Sequence, residues 1–270
     1  MVSATVGILF SVNYQKLYEE YDKFIRNIDL SKYSNLRDIK TVEQDLPKDI
    51  NPMKWLYKYY WLPNPKLIDY DKFFNVYWKD IKSMSAYRKF VQKYFWGCCE
   101  DFIEIGFKAR IYRTWVSFLT QLHFMYLWNS IIDEKVEASA ELDMKGVDGR
   151  VRIGSHCFDF QVFKISYRKE ASERPGKKHR KRKCFIVEIP YIVEDIDELK
   201  KKLLSRRTKE DTKERIRRMV VFFKNYLHKY ENGFVVFKRD YVERVYQILR
   251  SRPKNYRRDE IIDLLLTKCT

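Results

Sequence analysis

The sequence predicts an α/β protein in which a mixed β-sheet core flanked by helices occupies the second half, while the first half is largely helical. Apolar residues recur at three- and four-residue spacing up to about Lys135, and short runs rich in β-branched and aromatic residues follow. No linker is long enough to force separate domains. We therefore expect residues 1–135 and 136–270 to be two regions of one integrated domain, mainly helical and α/β respectively.

The first half contains two strong helical patterns, Tyr14–Asn27 and the longer Glu100–Asn129, each with apolar residues gathered on one face. Prolines 47, 52 and 63 disfavour helix immediately before them and predict loops between these helices.

The second half begins with three predicted strands, after which the chain returns to helix from Ile196, with one apolar face that runs to Tyr230. The predicted strands are Val147–Ile153, Phe158–Tyr167 and Cys184–Ile192, followed beyond the helix by a short strand at Gly233–Lys238 and short helices at Tyr241–Arg250 and Asp259–Lys268.

The charge balance points to a polyanionic partner. The 270 residues include 54 Lys and Arg against 37 Asp and Glu, a formal net charge of +17. No apolar run reaches the roughly 20 residues that a membrane span needs, and the apolar start lacks the marks of a secretion signal. We therefore expect nucleic acid as the partner and a cytoplasmic location. The five cysteines show no zinc-type spacing and are predicted to be reduced thiols.

The sharpest chemical pattern is a pair of acids at a glycine-bearing turn, Asp143 and Asp148, followed by Lys164 in a predicted strand. Carboxylate oxygens are the ligands that Mg²⁺ prefers, and phosphodiester hydrolysis needs charge placed around the attacked phosphate. The pattern indicates a metal-dependent nuclease in which these three residues are catalytic. The alternative is an exposed turn, which is the commoner origin of two acids near a glycine.

The strand that carries Lys164 departs from the usual arrangement of restriction-like nucleases, where an acid stands two residues before the lysine on the same strand face. Val162 occupies that position here. Two alternatives stay open. Either a bulge turns Gln161 toward the metal, or the metal uses Asp143, Asp148 and a backbone carbonyl.

Two sets of basic residues are candidates for contact with DNA phosphates. One set lies between the second and third predicted strands. The other lies on the long helix, where Arg110 shares a polar stripe with Thr114, Ser117 and Gln121. The alternative for the first set is a solvated loop. The alternative for the second set is a helix face with a structural role. The predicted DNA-contacting residues are Arg110, Arg113, Lys177, Lys178, Arg180, Lys181, Arg182 and Lys183.

Two further residues have ambiguous roles. Glu188, inside an apolar strand, is either a further metal or water partner or a residue on a half-exposed strand face. His123, inside the long apolar helix, is predicted to be a core histidine.

Beyond these patterns, the sequence resembles the TaqI-type restriction endonucleases, in blocks that run in order from about residue 16 to 250. The matching blocks are Ile39–Lys48, Tyr94–Cys99, Ala109–Trp115, Gln121–Phe124, Glu141–Gly149, Gln161–Ala171, Val187–Tyr191 and Glu231–Phe237.

The resemblance implies a restriction-endonuclease-like fold of the PD-(D/E)xK type. It also implies a Mg²⁺-dependent type II enzyme that cuts both strands of DNA at TCGA, between T and C, and leaves a 5′ overhang. It places the family's active-site aspartates on Asp143 and Asp148 and its catalytic lysine on Lys164. The family has two adjacent lysines here, whereas this chain has Phe163 before Lys164. A homodimer on the palindrome and a methyltransferase of the same specificity are the implied partners.

Two alternatives stand beside this interpretation. Val162 and Phe163 favour a DNA-binding protein that kept the fold but lost cleavage. The second alternative is a nuclease of different specificity.

Overall fold

The structure is a computed structural model that describes residues 12–61, 64–167 and 183–267. Its helices are α1 (Tyr14–Arg26), α2 (Met53–Tyr60), α3 (Tyr70–Lys82), α4 (Ser85–Tyr94), α5 (Glu100–Ile131), α6 (Ala140–Asp143), α7 (Ile196–Leu204), α8 (Glu210–Tyr226), α9 (Arg239–Ser251) and α10 (Arg258–Leu266). Its strands are β1 (Gly149–Ile153), β2 (His156–Ile165), β3 (Phe185–Ile192), β4 (Leu227–Lys229) and β5 (Val235–Phe237), and short 3₁₀ segments cover Ser31–Arg37 and Lys48–Ile50.

Helix α5 is the centre of the core. Every residue from Phe118 to Asn129 is buried. A helix that is buried on all sides lies inside a domain and not on its surface. The polar stripe predicted along this helix therefore changes character along its length, since Ser117 is exposed whereas Gln121 is buried.

The main sheet has the order β1-β2-β3, with β1 antiparallel and β3 parallel to β2. Side chains alternate between its two faces. On the α5 face, Phe160 packs against Phe124 and Trp128, with ring centroids 5.4 and 5.0 Å apart. On the outer face, the buried Asp159 accepts hydrogen bonds from Arg150 at 2.7 and 3.1 Å. The predicted mixed sheet with flanking helices is confirmed.

The helix predicted after Ile196 is confirmed over most of its length, but its extension to Tyr230 is wrong. The chain forms α7 and α8, then leaves the helix after Tyr226, and β4 pairs with the predicted short strand β5. The cause is tertiary, because the Tyr230 hydroxyl donates to Asp22 of α1. Asn232 also donates to the carbonyl of Ile25 at 2.7 Å, near the end of that helix.

The prediction that all five cysteines are reduced thiols is wrong for one pair, since Cys157 and Cys184 form a disulfide. The parallel register pairs Phe158 with Phe185, so the residues just before them lie side by side, with Cα atoms 4.6 Å apart. Cys98 and Cys99 are free and exposed, and Cys269 lies outside the described residues.

One cluster of buried side chains extends from Tyr21 in the first half of the chain to Leu265 in the second. Within the described residues, none of the helices has the length and apolar character that crossing a bilayer requires.

Candidate active site

The predicted acid pair lies where α6 passes into β1. Gly146 reverses the chain with a φ of +75°, a conformation that glycine adopts without strain. The Gln161 side-chain amide donates to the Gly146 carbonyl, and the Asp148 backbone N–H donates to the Phe160 carbonyl at 2.9 Å. Asp148 is therefore fixed at the first rung of the β1–β2 ladder.

Gly149, the residue after Asp148, allows the start of β1 to approach the core unusually closely. A Cβ atom at Gly149 would lie 2.6 Å from Cγ1 of Val136 and 2.9 Å from the sulfur of Met125 on α5. Only a residue without a side chain permits this approach. The glycine thereby places Asp148 beside the helical half of the protein.

The two carboxylates are held by groups from both halves of the chain. Asp148 Oδ2 accepts the backbone N–H of Val162 at 2.5 Å. Asp143 Oδ2 accepts the side-chain amide of Gln121 on α5 at 3.2 Å and lies 3.5 Å from the hydroxyl of Tyr57 on α2. That hydroxyl is also 3.2 Å from the carbonyl oxygen of Asp148. Tyr57 therefore bridges the two acidic residues.

Burial and mutual repulsion shape the electrostatics of the pair. The pKa of Asp148 is raised to about 7 by burial and then by the charge of Asp143, against the hydrogen bond from Val162. Burial also raises the pKa of Asp143, against hydrogen bonds from Gln121 and Tyr57. Within the described residues neither carboxylate is in an ion pair with a cationic side chain. Such a site favours a bound cation.

The raised pKa of Asp148, which comes first from burial and then from repulsion by Asp143, predicts how the stability of the metal-free protein changes with pH. Unfolded Asp148 ionises near 3.8, whereas the folded residue keeps its proton to about 7. Its contribution to stability is complete below 3.8 and is lost as the pH rises through about 7, at up to about 1.4 kcal/mol per pH unit. Thermal unfolding in EDTA across this window measures the effect. Asp148→Asn should remove this part of the slope, and identical slopes for both proteins would contradict the assignment.

Lys164 lies on the α5 face of β2 and is exposed. Its partner in the parallel register is Tyr191, whose hydroxyl is 3.4 Å from Ser117 Oγ of α5. Burial raises the pKa of Tyr191, a hydrogen bond with Ser117 lowers it, and the charge of Asp148 raises it further. Tyr191 is therefore the register partner of Lys164 and lies near enough to Asp148 for its charge to affect the tyrosine hydroxyl.

The register of β2 bears on the two arrangements left open for the metal. The pairing with β1 and with β3 proceeds residue by residue, without a skipped position along these fully described strands. Gln161 therefore faces away from Lys164, and its amide nitrogen binds Gly146. The geometry favours Asp143, Asp148 and a backbone carbonyl. Metal binding by Gln161 stays a prediction that this geometry does not support.

Glu188 is not half-exposed, and it has partners away from the acid pair. Its buried carboxylate accepts the Arg257 side chain at 2.8 Å and the backbone N–H of Arg258 at 3.1 Å. These contacts join β3 to the start of α10 and give Glu188 a structural role. His123 is fully buried, as predicted, and accepts the backbone N–H of Phe237 at 3.4 Å.

The predicted DNA-contacting residues fall into two groups. Arg110 and Arg113 both pair with Glu43, the former at 3.9 Å. Lys183 is exposed just before β3. The rest of the basic run, Lys177, Lys178, Arg180, Lys181 and Arg182, lies outside the described residues.

Two residues of the site were not predicted from the sequence in these roles. Gln121 belongs to the polar stripe that was considered for phosphate contact, and its burial turns it toward Asp143. Tyr57 lies in an aromatic-rich segment and carried no signal of its own. Only the packing of α2 against the acid turn reveals its role.

Comparison with known proteins identifies the class to which this fold and site belong. The family model for the TaqI restriction endonuclease matches residues 18–249. The type II restriction enzyme TthHB8I of Thermus thermophilus is 36% identical over 240 residues, which cover 87% of this chain and 89% of the relative. The type II restriction enzyme TaqI of Thermus aquaticus is 36% identical over 239 residues, with the same coverage of 87% and 89%. No solved structure matches the chain significantly.

The matches cover nearly the whole chain, and they define the protein as a restriction endonuclease, a site-specific deoxyribonuclease. Within that class, the chain belongs to the TaqI restriction endonuclease family. The resemblance predicted from the sequence blocks is confirmed.

Proposed function

We propose that this type II restriction endonuclease makes Mg²⁺-dependent double-strand cuts in DNA at TCGA, between T and C, leaving a 5′ overhang. The observation that carries the proposal is the acid pair Asp143 and Asp148, joined by the Tyr57 hydroxyl, in a chain of this family. The specificity comes from the family resemblance of the sequence blocks. The same resemblance supports a PD-(D/E)xK fold in which Val162 replaces the second acid.

The residues of the site fit a hard divalent cation. Asp143 and Asp148 supply carboxylate oxygens, and each is held in place by a donor from a neighbouring element. When bound, Mg²⁺ would supply an activated water and relieve charge on the phosphate. The protein's own contribution is to orient these carboxylates through Gln121, Tyr57 and the Val162 N–H, while the Lys164 ammonium stabilises negative charge that develops on the phosphate.

The remaining parts of the proposal concern partners. Double-stranded DNA would contact Arg110, Arg113 and the basic run Lys177–Lys183. A palindromic site fits a two-fold symmetric homodimer. A methyltransferase that modifies the same sequence and a cytoplasmic location complete the proposal.

Digestion of plasmid DNA tests the function. With Mg²⁺ the purified protein should give discrete fragments whose ends map to TCGA, and EDTA should prevent cutting. A duplex in which TCGA is scrambled to TGCA is the matched control. DNA binding without cleavage at any temperature would favour the degenerate nuclease, and fragments with other ends would favour a different specificity.

The Tyr57 hydroxyl gives a separate prediction. Tyr57→Phe removes a donor to a carboxylate, which is worth roughly 1.5–3 kcal/mol, so we expect cleavage to slow by about 10-fold to 100-fold. The Mg²⁺ concentration needed for half-maximal cleavage should rise as well. Tyr59→Phe, on the same helix, is the control, because its hydroxyl makes no hydrogen bond among the described residues. Equal cleavage rates for the two variants would show that the Tyr57 hydroxyl makes no contribution to the site.

A further inference from the structure

The hairpin of α7 and α8 presents a dense group of basic residues. Its turn, between Leu204 and Glu210, carries Arg206 and Arg207, and both side chains are exposed. The Ser205 side chain orders this turn by accepting the backbone N–H of Arg207 at 3.3 Å. The two guanidinium groups therefore project from an ordered turn.

The basic residues of this hairpin divide into paired and unpaired sets. Lys200 and Lys201 are held by Asp197 and Glu198, at 2.9 and 2.8 Å. Lys213, Arg217 and Arg218 are also in ion pairs with acids. Within the described residues, the basic residues of the hairpin that make no ion pair are Lys202, Arg206, Arg207, Lys209, Arg215 and Lys224. Their charge is available to an external anion.

Two of the unpaired residues, Arg215 and Lys202, lie beside the end of the strand that carries Lys164. The Arg215 guanidinium donates to the Ser166 carbonyl at 3.5 Å, and the Lys202 ammonium lies 5.3 Å from the centre of the Tyr167 ring. Ser166 follows Lys164 by two residues, which is about 7 Å along a strand. Phosphates recur every 3.4 Å of helix axis along one DNA strand. The hairpin therefore lies within the length of a few phosphates, along one DNA strand, of the phosphodiester bond that Lys164 would help to cleave.

We propose that the α7–α8 hairpin binds the phosphate backbone of DNA next to the cleaved bond, with Arg206 and Arg207 as the main contacts. The inference rests on the proposed function and adds a surface outside the residues predicted from the sequence. Arginine stays charged at all relevant pH values and matches phosphate oxygens with paired donors. An acidic protein partner is disfavoured, since the patch adjoins the site where DNA must lie for cleavage.

Salt-dependent binding tests the hairpin. Affinity for a TCGA duplex is measured with Ca²⁺ in place of Mg²⁺, from about 50 to about 300 mM salt. Each lost phosphate contact lowers the slope of log K against log salt by about 0.9. For R206Q/R207Q we expect a slope smaller by about 2 and affinity at least about 10-fold weaker at about 150 mM salt. Binding to a scrambled duplex should weaken equally, because phosphate contacts carry no sequence information.

The matched control is K200Q/K201Q, which removes the same net charge from the same hairpin at residues that are already paired. We expect its salt slope to equal that of the wild type. Equal effects of the two double variants, or an unchanged salt slope for R206Q/R207Q, would overturn the inference. The proposed function would still stand if the wild-type protein cuts DNA at TCGA. A wild-type protein that neither binds nor cuts DNA would overturn both. Unfolding temperatures of both variants confirm that each is folded.

Discussion

Replacing Lys164 by alanine should reduce the cleavage rate by about 1,000-fold, which corresponds to roughly 4 kcal/mol of lost transition-state stabilisation. The ammonium is exposed on the α5 face of β2, and the described part of the chain offers it no hydrogen-bond or ion-pair partner. Its removal should therefore leave the fold intact. Single-turnover cleavage of a TCGA duplex measures the loss, and the affinity for that duplex in Ca²⁺ should change by less than about threefold, since one phosphate contact is involved.

Lys79→Ala is the control for Lys164→Ala, since Lys79 is an exposed lysine on α3 and makes no ion pair among the described residues. It should cut at the wild-type rate. The absence of an acid at Val162 gives the Lys164 experiment additional weight. A Lys164→Ala protein that still cuts would show that the site works through its carboxylates alone.

Replacing Asp148 by asparagine should abolish Mg²⁺-dependent cutting while DNA binding persists. The change keeps the shape of the side chain but removes the charge that the metal requires. We expect a loss of at least about 100-fold, comparable to the loss of one charge-stabilising group. The variant should also unfold at a higher temperature than the wild type in EDTA at about pH 7, because the burial of a charge and its repulsion from Asp143 are both removed.

The stability measurement separates a metal ligand from a structural acid. Mg²⁺ should raise the unfolding temperature of the wild type and have no effect on Asp148→Asn, because a ligand stabilises only a protein that binds it. Asp133→Asn, at an exposed acid that forms no ion pair with any described residue, should respond to Mg²⁺ like the wild type. An Asp148→Asn protein that cuts normally would show that the metal is held elsewhere.

Local patterns in the sequence predicted α5, the three strands of the main sheet and the acid–lysine set because each depends on residues that lie close together in the chain. Apolar periodicity marks helices and β-branched runs mark strands, whatever the tertiary structure. The family resemblance then gave the active-site residues their roles. The boundaries of β1, β2 and β3 differ from the predicted ones by only a few residues.

Features that depend on distant contacts could not be predicted in this way. Tyr57 has no local sign of its place beside Asp143, and Cys157 meets Cys184 only through the parallel register of β2 and β3. The break after Tyr226 follows from contacts of Tyr230 and Asn232 with α1, although the local spacing fits a helix. In each case tertiary contacts override the local pattern.

The bridging of the acid pair by Tyr57 has a consequence for the timing of activity in the cell. The groups around the acids are distributed from Tyr57 on α2 to Tyr191 on β3, and β3 in turn is tied to Arg257 near the end of the chain. A ribosome makes the acids well before it makes the strand that flanks Lys164. A chain synthesised only as far as Asp148 lacks both Lys164 and Tyr191, so the whole set of site residues exists only after β3 has been made.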